Sequence, residues 1–526
     1  MGIQYMMPGL SSPIDNQADI QEFTIASFHL ALRNQTTTCT EIITAYLARI
    51  SEYNHTLKAL ITVNKNALDY ARQKDAETTH LVQNDLPFPP LHAIPIILKD
   101  TYTTKDMPTT SGVKALKSLQ TSTDAVVVSK LRAAGAIILA KANLHEFSLE
   151  GATISSLGGQ TRNPYDLTRT PGGSSGGTAA ALAANFGLLG CGGDTVNSLR
   201  SPASACSIVG FRPSKGVVSK EGVFPVSETQ DVAGPMGRVV SDVRTLFDVM
   251  RDDDIKVPPS PSEIKGKHLR IGVLTSYFGD FNIPESAMIN QTILNALQKV
   301  QTSSSSPSKS TLTLEFIHLP QSQTPTWDVP TLRSNLDTQS FEFRTVLDSF
   351  LQSPSIQYTP HTSLSSIAKS GDYHEAALTP VFHQTLTAEF TPSSPEYRAR
   401  LQRIGELKAS VAACFEENAL DALVYPHQRQ LVVEVGSMVQ PGRNGILAAL
   451  TGCPAICIPA GFSSPSESAP LGVPIGLELM GRPGGDDRLF DIAEMFESVI
   501  QGRRQPELQG RRSHVGPADI YFGTKL

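Results

Sequence analysis

Between residues 20 and 85 the hydrophobic positions recur with helical spacing. In "TEIITAYLARISEYN", Ile42, Ile43, Tyr46, Leu47 and Ile50 fall on one stripe, with Thr40 placed as an N-cap. The period then changes. "LHAIPIILKDTY" is a short β-branched apolar run ending in charge, which predicts a buried strand. "DAVVVSKLRAAGAIILAKANL" predicts a helix over 126–134, a stop at Gly135 and a strand over 136–140. Alternation of this kind runs to about residue 250 and predicts an α/β core with a largely parallel or mixed sheet. "HLRIGVLTSYF" adds a strand, residues 330–420 are polar with helical spacing, and "ALVYPHQ" and "PAICIPAGF" return to strand character. "DDRLFDIAEMFESVI" closes as an amphipathic helix. "RDDDIKVPPSPSEIKG" (251–266) reads as a surface connection and "QTSSSSPSKST" (301–311) as a flexible low-complexity tract. No internal repeat is present. The expected organisation is effectively one large domain. It comprises an N-terminal helical region (1–85), a core segment (86–250), a linker, strand and mainly helical insertion (251–420), and a C-terminal part of the core (421–526).

A chain of 526 residues buries enough surface to fold without disulfides or metals. The net charge of −6 argues against a nucleic-acid partner, which favours a basic patch. Cys39, Cys191, Cys206, Cys414, Cys453 and Cys457 form no CxxC pair and no zinc spacing, and read as buried thiols in a reducing compartment. The first residues lack a charged n-region and a continuous apolar h-region, and no run reaches the ~18 apolar residues of a membrane span. The expectation is a cytoplasmic protein without a membrane partner, its sequons at Asn34, Asn54 and Asn290 unused.

Chemistry concentrates in "PGGSSGGTAAALAANFGLLGCGGDTVNSLRSPAS", Pro171 to Ser204, which carries no charge from Gly172 to Gly193. Gly172 to Gly176 satisfies G-x-S-x-G, the nucleophile elbow of α/β-hydrolases, but the preceding "NPYDLTRTPGG" is loop-like where that motif needs a strand. A phosphate loop would need a lysine after Gly177, where Thr178 stands. A glycine-rich helix start packed under a sheet accounts for the run without any chemistry.

The run has company. "GGSSGGTAAALAA" followed by "DTVNSLRSPASACSIVGFRPSKGVVS" resembles the signature of the amidase signature family. "IPIILKD", "NLHEFSLEG", "GGQTRNPYD", "DVAGPMGRVVSDV" and "GCPAICIPAGF…LGVPIGLELMGRPGGDDRLFDIAEMFE" resemble further segments of it, in order, over roughly residues 25–250 and 420–500. The resemblance implies an amidase-signature fold, with a central mixed sheet, helices on both faces and a helical insertion. It also implies a Ser–cis-Ser–Lys triad that hydrolyses carboxamides through a seryl acyl-enzyme. Carried over by position, Ser198 is the nucleophile, Ser174 the bridging serine after a cis Gly173–Ser174 peptide, and Lys99 the base.

These residue types suit the chemistry. A serine hydroxyl needs a base to remove its proton. Lysine serves only when neutral, so its pKa must fall from about 10.4 towards neutrality, roughly 4 kcal/mol of differential solvation that burial supplies. A relay through Ser174 uses the ability of a hydroxyl both to accept and to donate. Read without the serines, Lys99 beside Asp100 is an ordinary strand-end lysine. Ser175 either tunes Ser174 and Lys99 or caps a helix starting near Thr178.

The main-chain N–H groups of Thr195, Val196, Asn197 and Ser198 are the expected oxyanion hole. Asp194 and Arg200 are expected to hold the loop's shape. Where the family usually shows two glycines this chain has Val196-Asn197, a departure expected to reshape the acyl pocket, since β-branched Val suits a strained loop poorly. The pocket should draw on residues 143–160, 330–420 and 440–455. The leading function is hydrolysis of a small-molecule amide, with no cofactor, no metal and a homodimer as the assembly considered. The alternatives are the amidase component of a tRNA-dependent amidotransferase and a catalytically weak scaffold. Tracts such as "SSSSPSKS" have the style of a fungal-type amidase.

Overall fold

The apolar run before Lys99 forms a strand, Pro95–Lys99, buried along its whole length, as are Ile137–Ala142 and Ala422–Pro426. Strands buried on both faces require neighbours and covering helices. The computed structural model, which describes residues 20–252, 268–304, 313–387 and 389–508, provides both around one sheet of 11 strands. In chain order these are β1 (Leu60–Val63), β2 (Pro95–Lys99), β3 (Ile137–Ala142), β4 (Leu189–Asp194), β5 (Val209–Arg212) and β6 (Val232–Gly237). There follow β7 (His268–Leu274), β8 (Thr313–Leu319), β9 (Ala422–Pro426), β10 (Ala455–Phe462) and β11 (Pro474–Met480). Across the sheet the order is β1-β3-β2-β4-β6-β5-β10-β11-β9-β7-β8. The β3-β2-β4 and β9-β7-β8 groups are parallel and the remaining pairings antiparallel, so the sheet is mixed.

This order fixes where the chemistry sits. Because β2 and β4 run parallel, with Leu98 opposite Cys191, their carboxyl ends bring Lys99 and Asp194 to the same edge of the sheet. Crevices outside the carboxyl ends of strands are the usual ligand sites of open α/β sheets.

The helices follow their local signals. α1 (Cys39–Leu57) begins with a capping box between Thr38 and Glu41, so the N-cap is Thr38. Thr40, expected there, instead hydrogen-bonds Asp75 at 2.5 Å from inside the first turn. The helix expected over 126–134 spans Val126–Ala133, and the strand after Gly135 is β3. Residues 20–85 read as helical throughout, yet they also supply β1, four residues at the sheet's edge, too short for a period to register. α2 (Gly176–Ala183) and α3 (Arg200–Ala205) flank β4 and are wholly buried. Gly177 lets α2 lie against the neighbouring backbone, since a Cβ there would meet the Ala59 carbonyl at 2.6 Å.

Residues 330–420 fold into helices, including α4 (Val329–Leu336) and α5 (Gln339–Leu351). A short strand, Ile356–Tyr358, pairs with Gln120–Thr121. α5 buries Phe343 and Leu347 against Phe147 and Phe224 of the core, with the Phe147 and Phe343 rings 5.6 Å apart. Burial of such a side chain is worth about 1.5–3 kcal/mol, so the insertion is seated firmly next to the site. The connection expected at 251–266 lies outside the described residues beyond Asp252. Of 301–311 only the first four are described, as the end of helix Pro284–Ser304.

Candidate active site

Lys99, the last residue of β2, is 1 % exposed, and its Nζ lies 2.7 Å from Ser174 Oγ, itself fully buried. Burial lowers the lysine to about 7, although Asp194 and Asp231 act in the opposite direction. The Gly173–Ser174 peptide is cis, and Gly172 before it has φ +68°, a left-handed backbone that favours glycine. The segment before Ser174 is loop, without the strand a nucleophile elbow needs, and among the described residues no histidine ring bonds to the Ser174 hydroxyl, although the His145 N–H donates to Ser174 O at 3.1 Å.

Ser175 occupies the N-cap position of α2 but makes no capping bond. Its Oγ donates to Gly193 O at 3.3 Å, and its N–H donates to Ser198 O at 3.3 Å. The helix-cap reading therefore fails: Ser175 ties the Ser174 loop to β4 and to Ser198.

The loop leaving β4 carries Thr195, Val196, Asn197 and Ser198, and none of the four has a positive φ. Val and Asn thus replace two glycines without strain, contrary to the expectation for a β-branched residue. Val196 packs in a cluster with Ile446 and Leu447. Asn197 Oδ1 accepts from Gly445 N at 2.9 Å, while its Nδ2 is buried without a partner. Thr195 Oγ1 donates to Asp231 Oδ1 at 2.6 Å. Among the described residues, the N–H groups of these four residues and the Ser198 hydroxyl donate to no protein atom.

Below the loop, Asp194 accepts from Leu199 N (3.1 Å), Arg200 Nε (3.1 Å) and Arg212 Nη1 (2.9 Å). Burial alone would raise this carboxyl, but the two guanidinium groups hold it well below the usual carboxylate range. Arg200 also donates to Val196 O (2.7 Å), Gly445 O (2.9 Å) and the buried Glu478 carboxylate. Asp194 and Arg200 thus clamp both ends of the loop from beneath.

Two cavities meet here, sharing Ser148 and Thr195. The larger, about 410 Å³, is reached by Lys99 and Asp231 and walled by Phe224, Val226 and Phe350. The smaller, about 20 Å³, is lined by Ser198 and Asn197, and by Glu150, Arg333, Gln339 and Arg443, drawn from the three segments expected to build the pocket. Sequence reasoning assigned no role to Asp231, Gln230 or Arg212, although all three stand in or beside the quoted family segments. Gln230 joins the loop to the insertion, donating to Thr195 O (3.4 Å) and accepting from Thr338 N (2.8 Å).

A mixed sheet of this order, flanked by helices and with a buried lysine beside a buried serine where parallel strands end, defines the class as an α/β fold. The chain belongs to the amidase family, whose model matches residues 41–490, and it is an amidase. It is 32% identical to a probable amidase of Arabidopsis thaliana, over 93% of this chain and 92% of that protein. It is 30% identical to a glutamyl-tRNA(Gln) amidotransferase subunit of Symbiobacterium thermophilum, over 88% of this chain and 93% of that one. Among solved structures it is similar to the native peptide amidase of Stenotrophomonas maltophilia. There the TM-score is 0.78 and the identity 27%, covering 93% of this chain and 99% of that one.

Proposed function

We propose that the protein hydrolyses a small carboxamide through an acyl-enzyme on Ser198, with Ser174 relaying protons to and from Lys99. The observation that carries this is the 2.7 Å contact between a buried lysine brought to about 7 and a buried serine. In the forward step Ser198 Oγ attacks the amide carbon. Its proton passes to Ser174, whose own proton passes to neutral Lys99. The unpaired N–H groups of residues 195–198 receive the developing oxyanion without reorganisation. The proton then returns along the relay to the leaving nitrogen, releasing ammonia or an amine. Water, deprotonated by the same relay, frees the carboxylate.

The likeness to an amidotransferase subunit supports a second reading, in which the released ammonia passes to a partner enzyme. A copurifying partner protein would favour it. All six cysteines are free and buried, which suits the reducing cytoplasm, and no helix among the described residues is long and apolar enough to cross a membrane. The test of the main reading is Ser198→Ala: turnover of an amide panel and labelling by a fluorophosphonate should both vanish, a loss of about 10⁴–10⁶ in kcat. Turnover at the wild-type rate would overturn it.

A further inference from the structure

The small cavity beside Ser198 is unbalanced. Arg443 is neutralised by Glu150, whose Oε1 it meets at 2.5 Å. Arg333, half-buried on α4, has no carboxylate within ion-pair distance and no hydrogen-bonding partner among the described residues. Asp337, one turn further along, is held by Gln339 N at 3.2 Å and by Gln339 Nε2 at 3.2 Å. The charged groups lining the cavity, Glu150, Arg333 and Arg443, therefore sum to one positive charge, and the carboxylates of Glu150 and Asp337 act on Arg333 only through space.

The hydrogen-bonding inventory tilts the same way. Asn197 Nδ2 and Arg443 Nε, in residues 1 % and 6 % exposed, are buried donors left without acceptors. Buried donors without a protein acceptor call for one from outside the chain, a water or a ligand. Three unpaired nitrogen donor groups and a net positive charge call for a group that only accepts and carries negative charge. An ionised carboxylate has that chemistry, and a guanidinium fork matches its geometry. The space of about 20 Å³ is narrow and opens beside the larger cavity, so it suits a compact polar group at the end of a substrate better than an aryl ring.

We infer that the substrate is a short amide that also bears a carboxylate, and that Arg333 is the residue that recognises it. This rests on the proposed reaction at Ser198 and names its substrate class. Arg333 comes from the mainly helical insertion, on α4 (Val329–Leu336).

The experiment separates binding from turnover. Succinamate and butyramide differ in a carboxylate for a methyl group, and calorimetry on the full-length Ser198→Ala protein measures both without hydrolysis. The expected result is at least about tenfold tighter binding of succinamate, the scale of a charge-assisted pair. In Ser198→Ala/Arg333→Met that ratio should collapse towards one, and Arg333→Lys should restore part of it. Equal affinities in the parent, or an unchanged ratio in the Met variant, would overturn the inference. Failure of the reaction itself shows separately, as amide turnover that survives Ser198→Ala.

Discussion

Lys99 and Ser174 meet at 2.7 Å in a place closed to solvent, one at the end of a strand and the other in the glycine loop that starts α2. Burial brings the lysine to about 7, so it changes charge near neutral pH. If it is the base, kcat/KM should fall about tenfold per pH unit below 7 and level off above it. An activity that rises as the pH drops from 8 to 6 would exclude a lysine base.

The same displacement predicts a stability effect. The native lysine loses its proton near 7 and the unfolded one near 10.5, so between these values the unfolded chain binds the extra proton. Stability contributed by this group therefore rises with pH across that window. Lys99→Met keeps the stem and removes the titration. Urea unfolding at pH 7 and pH 9.5 should show the difference between wild type and variant moving in favour of wild type at the higher pH. No movement would mean that the lysine is not displaced.

Asp231 bonds Thr195 and also favours charged Lys99. Asp231→Asn removes that charge while keeping an oxygen for the Val226 and Ser227 N–H groups that its carboxylate now binds. The acidic limb of the pH–rate profile should shift to lower pH, because Lys99 loses a group that favours its protonated form. A shift to higher pH would contradict the coupling.

Much of this was legible in the sequence because the signals are local. "IPIILKD" announces a buried strand ending in lysine, and the uncharged glycine-serine run announces a tightly packed turn into a helix. What escaped depends on long-range pairing. β1 is four residues without a usable period, recognisable only once β3 offers an edge. Asp231 and Gln230 gain their roles from β6 lying antiparallel beside β4, with Val232 opposite Asp194. Arg333 reaches the site only because α4 packs Leu332 and Leu336 in one cluster with Val196, Ile446 and Leu447, and no spacing in the sequence encodes that. The glycine pattern misled in one respect: it suggested a loop needing positive φ at 196 and 197, and the backbone there is ordinary.

Asp194 balances two buried guanidinium groups. Asp194→Asn leaves both without that counter-charge, the situation in which breaking a buried pair costs about 3–5 kcal/mol. The variant should lose stability on that scale in urea unfolding and lose activity with it. Arg200→Met leaves Asp194 with Arg212 alone and takes from Glu478 its guanidinium partner, and should also cost stability. A stable, inactive Asp194→Asn protein would instead give the carboxylate a direct part in the chemistry.

Asn197 offers two separable contributions. Its Oδ1 accepts the Gly445 N–H that starts helix Ile446–Thr451, and its Nδ2 stands unpartnered in a residue that lines the small cavity. In Asn197→Gly the Gly445 N–H is left unsatisfied at about 1–3 kcal/mol, and the added backbone freedom costs roughly 0.5–1 kcal/mol more. Main-chain donors at Thr195, Val196 and Ser198 survive the change. The expected outcome is a less stable enzyme whose KM rises, with kcat within about tenfold of wild type. If the side-chain amide were instead an oxyanion donor, kcat would drop by about 10²–10³ with KM little altered. Kinetics on one good amide substrate, run well below the variant's melting temperature, decide between them. A pure kcat loss would move Asn197 from the substrate pocket to the oxyanion hole.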